Sequence, residues 1–314
     1  LKSINVNSDP WPELWDIPPE MASVLDGVDN LPTLPQVFAT LNRIIDNKQS
    51  SARDLVQVIS ADQALTARIL KYANSPLFRG FHPIENVQQA VVRLGFQEVK
   101  DISLTVMVYE GLFRQSAGAY FNRVQFWKHS FLVGYACQAL AEKLLLNSLQ
   151  KVAFVAGLLH DIGVVILDKF FPTIFSRLIT AVDGRREPLE EVEVDSSFPP
   201  HGAIGAHVLS KWRLPEPVAD AVAFHHGPAE RFGANPLAGI IYLSDFIVRK
   251  AGYPFYVSEK QPKPEMLKRT IQLGLGEGRP GGKRLARLLS ESAQSFREDI
   301  PGHLDSLKGV LSGF

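Results

Sequence analysis

Apolar residues in this chain recur at three- and four-residue steps, and no stretch shows the convincing apolar–polar alternation that a half-buried strand needs. A chain with only the helical period can bury its apolar stripes only helix against helix, so the expected class is all-α. Leu34, Val37, Phe38, Leu41, Ile44 and Ile45 make one such stripe. Ser51 and Asp54 fit a capping box, with Asp in place of the usual Glu. Ser60 is positioned to cap a helix from Ala61 to Ala73. Asn74-Ser-Pro76 stops that helix, because proline disfavours helix at the residue before it. Ile84 to Leu94 reads as the next helix, closed by Gly95 in a left-handed position. Phe96 to Phe113 follows, and Gly118 marks a loop. A long helix is expected from about Asn122 to Leu144, then one from Gln150 to Leu159 and an amphipathic run from Ile166 to Val182. Residues 183–188 read as a turn. Helices are expected over His201 to Trp212, Val218 to His226 and Pro236 to Ala251.

The two ends read differently. Residues 1–30 are broken by Pro10, Pro12, Pro18 and Pro19, and suggest an extended arm whose Trp11 and Trp15 pack on the body. Beyond Gly252 lies a tail with Gly and Pro clusters and two candidate helices, Lys283 to Arg297 and Ile300 to Leu311. There is no fixed-period repeat. The start, Leu1-Lys-Ser-Ile-Asn5, has neither an initiator Met nor a signal-peptide pattern, as if trimmed from a longer protein.

Composition narrows the function classes. The 314 residues allow a large core and two domains or subdomains. Lys+Arg and Asp+Glu are both 33, so no overall basic excess exists for counterion release from nucleic acid, and nucleic acid is not an expected partner. No apolar run is long enough to span a bilayer, so no membrane is expected either. Cys137 is the sole cysteine and sits in an apolar helix, which predicts a buried, inert thiol and suits a reducing cytoplasm.

The chemistry concentrates on His160-Asp161, which ends the apolar run that begins at Ala156. A polar pair at the end of a buried helix needs partners, because unpaired burial of charge is costly. The two residues can hydrogen-bond each other, or they can ligate a metal, since imidazole nitrogen and carboxylate oxygen together suit divalent ions. Five segments offer ligand types: His129, His160-Asp161, His201, His225-His226 and Asp245. Helical proteins assemble metal sites from several helices in this way. The mixture fits Fe, Mn, Zn or Ni better than Ca, with one or two ions. Taken singly, each histidine fits a structural role better than a ligand's. His207, one helical turn beyond His201, is a rival on the same face; His201 ranks first because it begins the helix.

Several stretches together resemble the HDOD family, the HD-related output domains of bacterial signalling proteins. They are Leu31-Pro-Thr-Leu-Pro35, Leu65-Thr-Ala-Arg-Ile-Leu-Lys-Tyr-Ala-Asn-Ser-Pro76, Ala90-Val-Val-Arg-Leu-Gly95, Phe126-Trp-Lys-His-Ser130 and Gly157-Leu-Leu-His-Asp-Ile-Gly163. His201-Gly-Ala-Ile-Gly205, Trp212-Arg-Leu-Pro215, Phe224-His-His226 and Leu243-Ser-Asp245 complete the set. The resemblance covers about Leu31 to Gly252. It implies an N-terminal helical subdomain over residues 31–117 and a multi-helical HD-like core over 118–252, between the arm and a tail over 253–314. It implies that His129, His160, Asp161 and Asp245 match the HD superfamily's core metal ligands. His201, His225 and His226 match extra histidines of the HD-GYP branch, the cyclic-di-GMP phosphodiesterases.

The family is generally regarded as catalytically inert, so the resemblance implies a regulatory output module. Its partner is a signalling protein or a small ligand in the cleft between subdomains. No fused sensor, GGDEF or response-regulator segment is visible, so the input is expected through a partner, and the C-terminal helices are candidates for a homodimer contact. The alternative is a metal-dependent phosphohydrolase acting on a nucleotide or cyclic dinucleotide, with Asp161 essential. Two departures weigh against that alternative. Val164 stands where the phosphodiesterases carry a phosphate-facing lysine, and Gly227-Pro-Ala-Glu-Arg231 replaces the Gly-Tyr-Pro loop after the double histidine. Gly252-Tyr-Pro254 lies on the wrong side of Asp245 and reads as coincidence. Gly274 to Lys283 lacks the Lys-Ser/Thr of a phosphate loop and reads as a connector.

Overall fold

The computed structural model describes residues 17–26, 51–75, 78, 82–113, 120, 122–227, 231–256, 294, 296 and 298–305, and no strand occurs among them. The Trp11 and Trp15 contacts, the stripe from Leu34 to Ile45, and most of the candidate helix from Lys283 to Arg297 lie outside the described residues. So does the glycine-rich stretch from Gly274 to Lys283.

Helix α1 (Pro19–Asp26) lies within the stretch expected to be extended. Proline is preorganised for a helix's first turn, and Met21 and Leu25, four apart, are both buried. α2 (Ala52–Ser60) begins with the expected capping box: Asp54 N–H donates to Ser51 Oγ at 3.3 Å and Ser51 N–H to Asp54 Oδ2 at 2.9 Å. α3 (Gln63–Ala73) starts later than expected, because Ser60 still belongs to α2 and Asp62 is the cap. Asn74 ends α3 and also clips the following loop, donating to Leu70 O at 2.9 Å and Ile84 O at 2.8 Å and accepting from Ile84 N–H at 2.7 Å. α4 (Val87–Leu94) therefore begins after Ile84, capped by Asn86. Gly95 follows at φ 89 and ψ 159, which is positive φ but not the left-handed helical turn expected. α5 (Phe96–Phe113) closes this group, in which α2 to α5 pack on one another.

The second group carries the chemistry. α6 (Arg123–Lys143) and α7 (Asn147–Leu159) pack side by side. A Cβ on Gly157 would lie 2.7 Å from Cys137 Sγ and 2.8 Å from Val133 O, so glycine is what permits their close approach. Cys137 is buried, and burial pushes its thiol up to about 12. The run from Ile166 to Val182 is two helices, α8 (Ile162–Phe170) and α9 (Pro172–Arg185). Pro172 cannot continue the first but can open the second. α9 runs through Asp183-Gly184, and the chain turns only at Arg186, φ 54 and ψ 42. The unforeseen α10 (Leu189–Val194) comes next. α11 (His201–Lys211), α12 (Glu216–Ala223), the short α13 (Arg231–Ala234) and α14 (Pro236–Lys250) complete the group. α14 lies on α6, α7 and α12, and α11 lies on α8 and α12.

The two groups meet at a polar knot inside an otherwise apolar seam. Tyr72 OH donates to Glu98 Oε1 at 2.6 Å, Tyr135 OH donates to the same oxygen, and the two hydroxyls are 2.9 Å apart. Phe78 packs on Tyr72 with centroids 5.1 Å apart, whereas His82 is exposed. Residues 298–305 are helical across Ile300, where a helix start was expected, and Ile300 and Leu304 are buried. His303 lies against the Tyr135 ring at 4.3 Å. Among the described residues no helix is long and apolar enough to cross a membrane.

Candidate metal centre

His129 sits about a third of the way along α6. His160 and Asp161 form the joint between α7 and α8. His201 is the first residue of α11, His225-His226 lie in the turn after α12, and Asp245 is in α14. The packing brings all seven together. A Cβ on Gly163 would fall 1.9 Å from His201 O, so α11 seats directly on α8 and delivers its first residue to Asp161. Six of the seven are buried; His226 is the most open, with a side chain 12% exposed.

Asp161 is the hub. Its Oδ2 lies 3.0 Å from His160 Nε2 and 3.6 Å from His129 Nε2. Its Oδ1 lies 3.2 Å from His201 Nε2 and 3.4 Å from His225 Nε2. Donor atoms of His129, His160 and Asp161 fall within 4.8 Å of one another, and so do those of Asp161, His201, His225 and His226. Asp245 borders the first group, with Oδ1 3.3 Å from His129 Nε2 and Oδ2 accepting from Arg249 Nη1 at 3.1 Å.

The far side of each ring is tied down. His129 Nδ1 donates to Tyr253 O at 2.8 Å, His160 Nδ1 to Gly157 O at 2.7 Å and His225 Nδ1 to Val222 O at 2.7 Å. A carbonyl only accepts, so these nitrogens carry the proton and a neutral ring turns a bare Nε2 inward. His201 Nδ1 donates to Glu193 Oε2 at 2.7 Å. The inward nitrogens then face each other, His129 to His160 at 3.3 Å and His201 to His225 at 3.4 Å. Facing lone pairs repel, and a cation between them turns repulsion into ligation. Donors about 2.1 Å from one ion are spaced roughly 3.0–3.4 Å apart, so the donor set fits a divalent metal in spacing as well as chemistry.

Protons compete with a metal for these inward nitrogens: burial lowers His160, but the charge of Asp161 and the hydrogen bond to it raise the ring above the usual imidazole range. Burial pushes Asp161 upward, but the charge of His160 and hydrogen bonds from His129, His160 and His201 outweigh it and hold the carboxyl well below its usual range. Burial lowers His225, and burial together with His225 and His201 lowers His226 well below the usual imidazole range, which keeps both rings neutral. Burial also pulls on His201, but the charge of Glu193 and hydrogen bonds to Asp161 and Glu193 raise it well above.

His207 is in neither donor group. Glu190, Glu193 and Arg249 were not anticipated. Glu190 Oε1 lies 3.3 Å from Arg249 Nη1 and 3.8 Å from His226 Nδ1. The acidic stretch Leu189-Glu-Glu-Val-Glu193 resembles a solvated face, and nothing in its spacing shows that Glu193 is buried. Two carbonyls of Gly252-Tyr-Pro254 make structural contacts: Tyr253 O orients His129, and Pro254 O accepts from Gln125 Nε2 at 2.9 Å. Val164 is fully buried.

The family model for the HDOD domain matches residues 31–228. An uncharacterized protein of Treponema pallidum (strain Nichols) is 28% identical over 229 residues, 73% of this chain. The chain spans 44% of that relative's length, less than half. Among solved structures, an HDOD domain protein with unknown function from Geobacter sulfurreducens is 24% identical with a TM-score of 0.67, over 89% of this chain and 95% of that one. A "putative phosphohydrolase" from Shewanella amazonensis SB2B is 22% identical with a TM-score of 0.68, over 92% and 98%. A "putative signal transduction protein" from Marinobacter aquaeolei VT8 is 19% identical with a TM-score of 0.72, over 93% and 65%. These three likenesses concern the fold.

Proposed function

The chain belongs to the HDOD family, and from that premise we propose that it is a regulatory output module of bacterial signal transduction whose helical core binds divalent metal without turning over a substrate. The observation that carries the metal reading is the convergence of His129, His160, His201 and His225 on the two oxygens of Asp161, each ring anchored on its outer nitrogen. His226 and Asp245 complete the set. Fe, Mn, Zn and Ni suit such a mixture. Bound metal would tie α6 to the ends of α7, α11 and α12.

Two features support regulation over catalysis. Val164 is packed in the core, so its position presents no cation to a phosphate. The segment after His226 begins with Gly227 and Pro228 and lacks the phosphodiesterase loop. A route for the signal is at hand: α6 carries His129 and, further along, Tyr135, which meets Glu98 and Tyr72 of the first helical group. A signalling partner or small ligand at that seam would sense the metal end through α6, and the C-terminal helix is the candidate contact between two copies.

One observation favours a second reading, a metal-dependent phosphohydrolase for a nucleotide or cyclic dinucleotide. Asp161 serves one donor group with each oxygen, so it can bridge two ions. A pair of divalent ions supplies Lewis acidity toward phosphate oxygens and lowers the pKa of water. The deciding experiment is metal quantification on protein purified without chelator, paired with hydrolysis assays on cyclic di-GMP, its linear product and a generic phosphodiester. Bound metal without turnover supports the module. About two equivalents of metal, with turnover abolished by Asp161→Ala, supports the enzyme. Absence of metal overturns both metal readings.

A further inference from the structure

The outer contacts of the rings differ at one place: the outer nitrogens of His129, His160 and His225 all lean on backbone carbonyls, and only His201 leans on a carboxylate. On the His129–His160 side the rings lean on backbone carbonyls, and the nearby carboxylate of Asp245 gives its second oxygen to the Arg249 guanidinium. That guanidinium draws electron density away from a would-be ligand. On the other side His201 leans on a carboxylate, Glu193, which is itself 1% exposed. A carboxylate behind a ligating imidazole makes the inward nitrogen more basic. Glu190 does not distinguish the two halves, because the oxygen 3.8 Å from His226 Nδ1 is also 3.3 Å from Arg249 Nη1.

We infer that the cluster offers two unequal metal positions, and that Glu193 makes the His201–His225–His226 position the tighter one. The inference rests on the metal reading above and adds an order of filling and a residue that sets it. Glu193 is a positioning residue; it reaches the metal only through His201.

The choice of a carboxylate is specific. Both groups that His201 directs at Glu193 are donors, the backbone N–H to Oε1 at 3.0 Å and Nδ1–H to Oε2 at 2.7 Å. A carboxylate accepts both. A glutamine in the same place offers one acceptor and one donor, so its amide nitrogen must face one of the two His201 donors. If it faces the ring, the ring proton shifts to Nε2, and the lone pair that points at Asp161 is lost. The helix start can still be capped while the ligand is disabled.

The test titrates chelator-stripped protein with Mn2+ and with Zn2+ by calorimetry, with bound metal counted after gel filtration and the melting temperature of the stripped protein recorded. Wild type should take up two ions in two affinity classes. Glu193→Gln should weaken the tighter class by about 10–100-fold and leave the weaker class in place. Glu193→Asp, which keeps the charge but withdraws it by one methylene, should fall between. His201→Ala should abolish the tighter class outright and serves as the reference if Glu193→Gln does not fold. Two equal classes in wild type, wild-type binding by Glu193→Gln, or loss of the weaker class in His201→Ala would each overturn the inference. No binding by wild type would overturn the metal reading itself and this inference with it.

Discussion

At Asp161 one carboxylate answers to two groups of imidazoles, with Oδ2 facing His160 and His129 and Oδ1 facing His201 and His225. Replacing it with asparagine leaves one acceptor oxygen and sets an N–H₂ against nitrogens meant for a cation. Asp161→Asn should therefore lower bound metal to background in both positions, measured by elemental analysis against wild type. The same residue explains why spacing alone could not decide between hydrogen bonding and ligation. His160 and Asp161 do contact each other at 3.0 Å, as the simpler reading held, and the pair is at the same time the centre of a larger set. The His129 anchor is less visible still. It is the carbonyl of Tyr253, 124 residues away, and a main-chain oxygen leaves no residue type to read.

Helix ends position these side chains, and their placement depends on how closely neighbouring helices approach. α8 and α11 touch at Gly163, where a methyl group would meet His201 O at 1.9 Å, and at Gly205, whose own Cβ would lie 3.0 Å from Ile162 Cγ2. Gly163→Ala should push α11 outward and carry His201 away from Asp161. The expected outcome is a loss of about 1–3 kcal/mol by denaturant titration, together with weakened metal uptake. Helices with strong local signals were legible: the capping box at Ser51 and the span of α5 stand where the sequence placed them. Local signals that compete were not. Pro172 lies within a continuous amphipathic run that suggested one helix, and the chain resolves the conflict by ending α8 and starting α9. Asp183-Gly184 looks like a turn, yet the helix holds until Arg186 because Val182 and Ile179 are buried beneath it.

Across the whole molecule, polar groups buried between helices set conditions on stability. Asp101 is fully buried on α5, accepts from Gln97 and Gln138, and lies 3.8 Å from Lys100. Burial raises its carboxyl to about 7, ahead of the opposing effect of Lys100. Between its unfolded value of 3.8 and about 7, the native protein holds a proton that the unfolded chain releases. Stability contributed at acid pH is therefore lost as pH rises through this window, by about 4 kcal/mol at most. Asp101→Asn should show a flatter dependence than wild type in urea melts between pH 4 and 7, roughly the span of that shift. Metal should act in the opposite sense, since an ion that binds only the folded state stabilises it. At a free concentration one hundred times its Kd the gain is about 2.7 kcal/mol, seen as a higher melting temperature that a chelator reverses. If metal is sensed along α6, Tyr135→Phe should uncouple the two ends. Metal would still raise amide-exchange protection around His129 but no longer across α3 and α5.

The helical class, most element positions, the inert thiol and the residue types of the candidate centre were available from the sequence, because periodicity, caps and ligand chemistry are local properties. Tertiary packing alone decided that five imidazoles gather around Asp161 with Asp245 beside them, that His207 stays apart, and that Glu193 backs His201 while Arg249 lies between Asp245 and Glu190. Those outcomes depend on which helix ends meet, and such meetings are settled by glycine contacts and buried surfaces far apart in the chain.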